Sequence, residues 1–265
     1  MDGPLMSVAL VTGATSGIGL ETARRLAQDG FTVLVHGSAP ELAESAVNQL
    51  ASSGVEASRL HPFAADFSSL GQVHRLITEI RDRFPLIDVL VNNAATGGSH
   101  HRILTVDGHE QTFQVNYLAA YLLTRELGGA VRRVVNVSSS LHRGGNINWT
   151  DVNRDKRYTK SSAYAQSKLA LTMLTPALLE QGRVAVSVHP GIFETALLPN
   201  YSYRGRPVGE AAEPVARLCT LDVEQINGRY FDDRYPVAPS VASSDHRSVQ
   251  RLWKLSERLT APALV

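Results

Sequence analysis

The sequence predicts an α/β fold, a doubly wound parallel sheet with helices on both faces, and three observations carry that expectation. Six short apolar, β-rich runs recur ("SVALVTG", "FTVLVHG", "ASRLHPFAAD", "LIDVLVNNA", "VRRVVNVSS", "VAVSVHPG"), each bounded by Gly, Asn, Asp or Ser. Near-continuous apolar runs of this length read as strands buried in a parallel sheet. Helix-period segments lie between them, so strand and helix alternate and right-handed crossovers follow. The first run leads straight into "VTGATSGIG", a glycine-rich stretch at a strand-to-helix turn.

In chain order, helices are expected over Gly17 to Gln28, Glu41 to Ser52, Leu70 to Arg83 and Glu110 to Leu127. A further helix opens within "SSAYAQSKLA" and continues into "LALTMLTPALLE". There Pro176 removes a helical hydrogen bond and crowds the preceding turn, so a kink or break near Thr172 is expected. The late "HRSVQRLWKLSERL" sets Val249, Leu252, Trp253 and Leu259 on one face, a helix packed on the domain. Two regions break the rhythm, Leu141 to Lys160 and Ile192 to Gly209. Both follow strands at their carboxyl ends, where open α/β sheets bind ligands. No internal repeat, low-complexity tract or Pro/Gly-rich linker divides the chain, so residues 1–265 are expected to form a single three-layer α/β/α domain.

With 265 residues, 43% hydrophobic and 19% charged, the chain is long enough to bury a full core. Its net charge of +1, with acids and bases interspersed, gives no footprint for nucleic acid or an anionic membrane, and neither partner is expected. "MDGPLMSVALVTG" has no basic segment followed by a long apolar run, and no stretch of about 18 apolar residues occurs, so neither export nor membrane spanning is indicated. The lone Cys219 cannot form an internal disulfide and no Cys/His spacing suggests zinc, so no metal and a reducing cytoplasm are expected.

Thr12, Gly13, Gly17 and Gly19 form a T-G-x-x-x-G-x-G pattern. Glycines there let the backbone turn sharply and approach a pyrophosphate, while the following helix offers free N–H groups and a positive dipole end. Tyr164 and Lys168 stand four residues apart, so a phenol and an ammonium share one helix face. Such a pair alone arises often by chance on solvated helices, and the remaining motifs supply its context.

Those motifs, in order, are "TGATSGIG", "AADFSS", "NNAA", "FQVNYLAAYLLT", "VNVSSS", "YAQSK" and "HPGIFET". Through them almost the full chain resembles the short-chain dehydrogenase/reductase family, a Rossmann-fold family; the long segment between "VNVSSS" and "YAQSK", together with "KRYTKSSAYAQSKLA" and the late "NGRYF", looks most like its branch of retinol dehydrogenases and related carbonyl reductases. The resemblance implies a cofactor-binding half over about residues 1–130 and a catalytic and substrate half over about 131–265. It implies a catalytic tetrad of Asn116, Ser139, Tyr164 and Lys168, with Ser138 the competing match for the serine. Physical chemistry supports each role. A free tyrosine has a pKa near 10, and a nearby ammonium with the positive nicotinamide would lower it by roughly one to three units. Tyr164 then serves as general acid or base, Lys168 favours the phenolate and binds ribose hydroxyls, and Ser139 bonds the substrate oxygen. Asn116 would hold a water linking Lys168 to solvent. The dull alternatives are a capping role for Ser139 and backbone bridging for Asn116.

For the cofactor, the resemblance implies contacts from Gly13, Thr15, Ser16, Gly17, Ile18 and Gly19, from Asp66 and Phe67 at the adenine, and from Asn93, Ala94 and Ala95 along the adenosine. It adds Tyr164 and Lys168, Thr195 at the carboxamide, and Pro190, Gly191 and Ile192 shaping the nicotinamide pocket. Asp66 equally suits a turn or helix cap before "FSSL". At the end of the second strand Gly37 occupies the position where an acid would select NAD, and Ser38 the position where an arginine would select NADP. Absence of the acid, with Ser38 and His36 able to bond a phosphate, favours NADP(H) over NAD(H).

The substrate pocket is expected from Ser99 to Ile103, Leu141 to Lys160 and Ile192 to Gly209, with His100, His101, His142, Trp149, Tyr201 and Tyr203 suiting a medium-sized, partly apolar small molecule. His100 and His101 read equally as a solvated loop. The expected activity is hydride transfer between nicotinamide and a carbonyl/alcohol pair. The alternative is a non-redox step, elimination or cyclisation, at Tyr164 with the nucleotide structural. A homodimer or homotetramer is compatible with the family resemblance.

Overall fold

A computed structural model describes residues 7–194 and 205–261. The first half runs β1 (Val8–Val11), α1 (Gly17–Gln28), β2 (Thr32–Gly37), α2 (Pro40–Ser52), β3 (Leu60–Ala64), α3 (Leu70–Arg83) and β4 (Ile87–Asn92). A helical stretch follows, α4 (Gln111–Phe113), a π-helical turn (Gln114–Leu118) and α5 (Ala119–Leu127). Then come β5 (Val131–Val137), α6 (Lys160–Leu179), β6 (Val184–His189), α7 (Glu213–Thr220), α8 (Val223–Ile226), β7 (Tyr230–Asp232), β8 (Tyr235–Val237), α9 (Val241–Ser244) and α10 (His246–Leu259).

The strands form one sheet in the order β3-β2-β1-β4-β5-β6-β7-β8, parallel throughout except for the antiparallel β8. Alternate residues of each strand face opposite layers. Leu10, Leu34, Leu90, Val134 and Ala185 pack with α3, α5, α6 and α10. Ala9, Val11, Val33, Val35, Val89, Val91 and Val186 pack with α1, α2 and α7. Both faces are thus apolar, which is why the strands lack the alternation of a half-solvated sheet. Helix spacing matches: α1 buries Leu20, Ala23, Leu26 and Ala27, three or four residues apart.

Chain order reverses between β1 and β4, so a crevice opens at their carboxyl ends, the place where doubly wound sheets bind ligands. The helix expected over Glu110 to Leu127 exists, but its hydrogen bonding widens to a π turn around Asn116, an irregularity frequent at functional sites. The Glu110 carboxylate caps it by accepting the Thr112 and Phe113 N–H groups at 2.9 and 2.7 Å.

The break expected near Thr172 does not occur: α6 runs unbroken from Lys160 to Leu179 with Pro176 inside it. Burial overrides local propensity here. Between Ala163 and Leu178 almost every side chain is buried, so packing holds the segment helical where an isolated peptide would bend. The terminal helix forms as expected over "HRSVQRLWKLSERL" and docks on α5 and α6. Trp253 stacks edge-on against Tyr121 at 4.9 Å between centroids, and the Tyr117 and Ser256 hydroxyls meet at 2.8 Å. Among the described residues no helix is long and apolar enough to cross a membrane.

Candidate active site

The glycine turn is fixed by Thr12 and Asn93. The Thr12 N–H and hydroxyl donate to Val91 O at 3.0 and 3.1 Å, and its Oγ1 accepts the Asn93 and Ala94 N–H groups at 2.9 and 3.0 Å. The Asn93 amide donates back to Thr12 O and Gly13 O at 2.8 and 3.1 Å. Gly13 has φ +63°, and a Cβ there would lie 2.7 Å from Ala94 Cα. At Gly19 a Cβ would lie 2.3 Å from Gly13 O. Both positions therefore exclude any side chain. Ser16 precedes α1 without a side-chain cap, so the first-turn N–H groups of that helix carry no such partner.

A cleft opens over this turn, lined by Gly13, Thr15, Ser16, Gly17, Ile18, Gly19, His36, Ser38, Ala65, Asp66, Phe67, Asn93, Ala94, Ala95 and Val115. Nearly every residue expected on the adenosine and pyrophosphate side meets there. An uncapped helix start, close-packed glycines and a cleft at the switch point together fit a dinucleotide. Gly37 lies behind the cleft lining, where a Cβ would come within 2.8 Å of Thr15 Cγ2 and 3.0 Å of Ala43 N. The position matched to an acidic ribose ligand has no room for one.

Asp66 forms the turn that its position before "FSSL" suggested. It lines the cleft, and its Oδ1 accepts the Ser68 N–H at 2.8 Å in a turn. The cap of α3 is Ser69, whose hydroxyl accepts from Gln72 N.

His36 departs from expectation. Its Nδ1 accepts the Gly13 N–H at 3.1 Å, its Nε2 lies 3.1 Å from Ala65 O, and its ring stacks on Phe67 at 4.4 Å. One nitrogen accepts and the other must donate, so the ring is neutral, and burial pushes its pKa down to about 4. It braces the turn and the Phe67 side of the cleft and is spent as a phosphate ligand. A histidine at a strand end signals either role, and only the fold shows which atoms its nitrogens reach.

At the other end of the crevice Tyr164 and Lys168 share one face of α6. Both are buried, and the Lys168 Nζ lies 5.8 Å from the Tyr164 ring centroid. Nζ donates to Val137 O at 2.8 Å, and burial pushes its pKa down to about 7. Ser138 is committed elsewhere, bonding Lys168 O at 3.2 Å and the Thr172 hydroxyl at 2.6 Å. Ser139, 8% exposed, follows β5 and accepts the Leu141 N–H at 3.2 Å, so it does cap the short turn after the strand. Asn116 donates to Thr96 O and Ser167 Oγ, each at 3.0 Å, and accepts the Thr96 N–H at 2.7 Å. It therefore ties the loop after Asn93–Ala95 to the residue beside Lys168, joining the two ends of the crevice.

The third group, Pro190, Gly191 and Ile192, follows β6 outside the cleft over the glycine turn. Thr195, Tyr201 and Tyr203 lie outside the described residues.

Two residues assigned to the substrate pocket are structural. His142 is fully buried: its Nε2 accepts the Ser240 N–H at 3.1 Å, its Nδ1 contacts Ser139 O at 2.8 Å, and its ring lies 4.6 Å from that of Tyr230. Trp149 packs on the core beneath the Arg251 guanidinium, 4.5 Å from its ring. Their segment is polar and turn-rich, a composition that cannot report which side chains fold inward. His100 and His101 are exposed, as a solvated loop requires. Tyr158, whose hydroxyl donates to Ser99 O at 2.9 Å, and the Arg102–Asp155 ion pair at 2.7 Å join the two loops that flank the site.

A glycine turn at a switch point, with an uncapped helix start beneath a cleft and a Tyr/Lys pair beside it, defines a nucleotide-dependent α/β enzyme. The chain belongs to the short-chain dehydrogenase family, whose profile matches residues 7–204. It is 33% identical to mouse (Mus musculus) retinol dehydrogenase 13 over 282 residues, covering 96% of this chain and 84% of that protein. An uncharacterised protein from Mycobacterium paratuberculosis superposes with a TM-score of 0.79 at 30% identity, covering 97% of this chain and 96% of that one. LugOII, a promiscuous reductase catalysing keto-reduction at C1 in lugdunomycin biosynthesis, superposes with a TM-score of 0.62 at 29% identity, covering 86% and 94%.

Proposed function

We propose that the protein transfers hydride between NADP(H), favoured over NAD(H), and the carbonyl/alcohol of a medium-sized, partly apolar small molecule, with Tyr164 as general acid/base. The observation that carries this reading is the buried Tyr164 ring with the Lys168 ammonium 5.8 Å from its centroid at the carboxyl end of the sheet. When bound, the nicotinamide supplies or accepts the hydride.

The chain's own residues do the rest. Tyr164 gives its hydroxyl proton to the carbonyl oxygen in reduction, or takes the alcohol proton in oxidation. Lys168 stabilises the phenolate that results. Its Nζ is anchored on Val137 O, so the charge is held in place before reaction. The Ser139 hydroxyl bonds the substrate oxygen where negative charge develops. Asn116 holds α6 against the loop after β4 and so fixes the spacing between the nucleotide cleft and the Tyr/Lys pair.

The preference for NADP(H) is supported by the end of β2. Gly37 has no space for a carboxylate that would repel a 2′-phosphate, and Thr15, Ser16 and Ser38 line the cleft with hydroxyls. Side-by-side affinities for NADPH and NADH check it, with NADPH expected to bind more tightly. A carbonyl or alcohol substrate of this class is supported by the names of the relatives, a retinol dehydrogenase and a ketoreductase.

Tyr164→Phe tests the chemistry. Loss of a positioned general acid is expected to lower kcat by about 10²–10⁴-fold, with the nucleotide Kd within about twofold of the parent. Full activity in this variant would overturn the assignment.

A further inference from the structure

We propose that Arg206 and Asp233 form a positioning pair that sets the backbone of Pro190 to Ile192 for the nicotinamide. This inference rests on the reading above that those residues shape the nicotinamide end of the site.

The chain leaves β6 at His189 and turns through Gly191, whose φ of +104° suits only glycine. Arg206 holds this turn from several sides. Its Nη2 donates to Pro190 O at 3.2 Å and lies where a Gly191 Cβ would stand, 2.6 Å away. Its backbone N–H donates to Ile192 O at 2.8 Å, and its carbonyl accepts the Glu194 N–H at 3.0 Å. The guanidinium also lies over the Phe193 ring, 4.6 Å from the centroid. One arginine therefore contacts every residue from Pro190 to Glu194.

Asp233 holds the arginine. Its Oδ2 pairs with Arg206 Nη1 at 3.1 Å, and its N–H donates to His189 O at 2.7 Å, the last residue before the turn. Asp233 occupies the β7–β8 turn with φ +55°, a left-handed conformation that glycine or asparagine adopts more easily. Its side chain and that of Arg206 are 31% and 42% exposed, and an ion pair this open contributes little to global stability. A strained backbone kept for a pair of small stabilising value points to placement of the Pro190 to Ile192 carbonyls as its use.

The test compares a complete cofactor with its nicotinamide-free counterpart: NADPH against 2′-phospho-ADP-ribose, and NADH against ADP-ribose. Arg206→Met keeps the aliphatic stem over Phe193 and removes the donors, while Asp233→Asn keeps the turn and removes the charge. Arg206→Met is expected to weaken the tighter-binding complete cofactor by about tenfold or more, while its nicotinamide-free counterpart stays within about twofold and the melting temperature is retained. Asp233→Asn should act in the same direction. The double variant should be no worse than Arg206→Met alone, because the two residues act as a unit.

Equal weakening of both ligands, or no change in either, would overturn the proposal. A parent protein that binds the complete cofactor no better than its counterpart would overturn it as well. None of these results bears on Tyr164, whose role is read separately from turnover.

Discussion

His36 shows how one buried side chain can decide the shape of a cofactor cleft. Its Nδ1 must stay unprotonated to accept the Gly13 N–H, and burial holds its pKa at about 4 against 6.5 when exposed. Between those values the unfolded chain takes up a proton that the folded one refuses. The stabilisation is complete above pH 6.5 and is lost as pH falls toward 4, up to about 3 kcal/mol. Burial lowers His142, His189 and His61 as well, so they add to the same acid limb. Melting temperatures between pH 7 and pH 5 should therefore fall. His36→Phe should flatten part of that fall and, by leaving the Gly13 N–H unpaired, cost about 1–3 kcal/mol at pH 7. An unchanged pH dependence in the variant would remove His36 from this role. In the sequence His36 read as a possible phosphate ligand, because position at a strand end places a residue near the cofactor without saying what its nitrogens touch.

At the scale of elements, α6 is the platform for Tyr164 and Lys168, and its continuity through Pro176 is imposed by its surroundings. The proline supplies no N–H to the helix ladder, and its neighbours Thr175, Ala177 and Leu178 are buried. Pro176→Ala should restore a helix donor and raise stability by about 1–3 kcal/mol, measured by urea or thermal unfolding. A loss of stability would mean that the ring fills its site better than its missing bond harms it.

Helices α1, α3 and α10 were legible to the residue, because their apolar spacing is uninterrupted. The π turn was not, since its residues carry the same apolar pattern as an α-helix and differ only in which carbonyl each N–H reaches. Nor were β7 and β8 legible, at three residues each too short to establish a period. Within "NGRYF", Tyr230 and Phe231 extend the parallel sheet and lead to Asp233, which anchors the turn after β6.

For the whole molecule, the order of apolar strands and helices fixed the doubly wound sheet, and the glycine pattern located its switch point. These features depend on local periodicity and backbone conformation, so a sequence can display them. The substrate side depends on which loop residues fold inward. His142 and Trp149 show the difference, both from a polar segment, the first buried and the second partly buried against other elements. Asn116 ties the loop after β4 to α6, and Lys168 ties α6 to the end of β5 through Val137 O.

Isotope transfer tests the proposed hydride transfer most directly. NADPH carrying deuterium at the transferable nicotinamide position is incubated with a carbonyl compound that the enzyme consumes, and product mass is followed alongside cofactor absorbance. Deuterium is predicted on the new carbinol carbon, with cofactor oxidised in step with product and both signals lost in Tyr164→Phe. Product that forms without label while the cofactor stays reduced would contradict hydride transfer and identify a non-redox reaction at Tyr164.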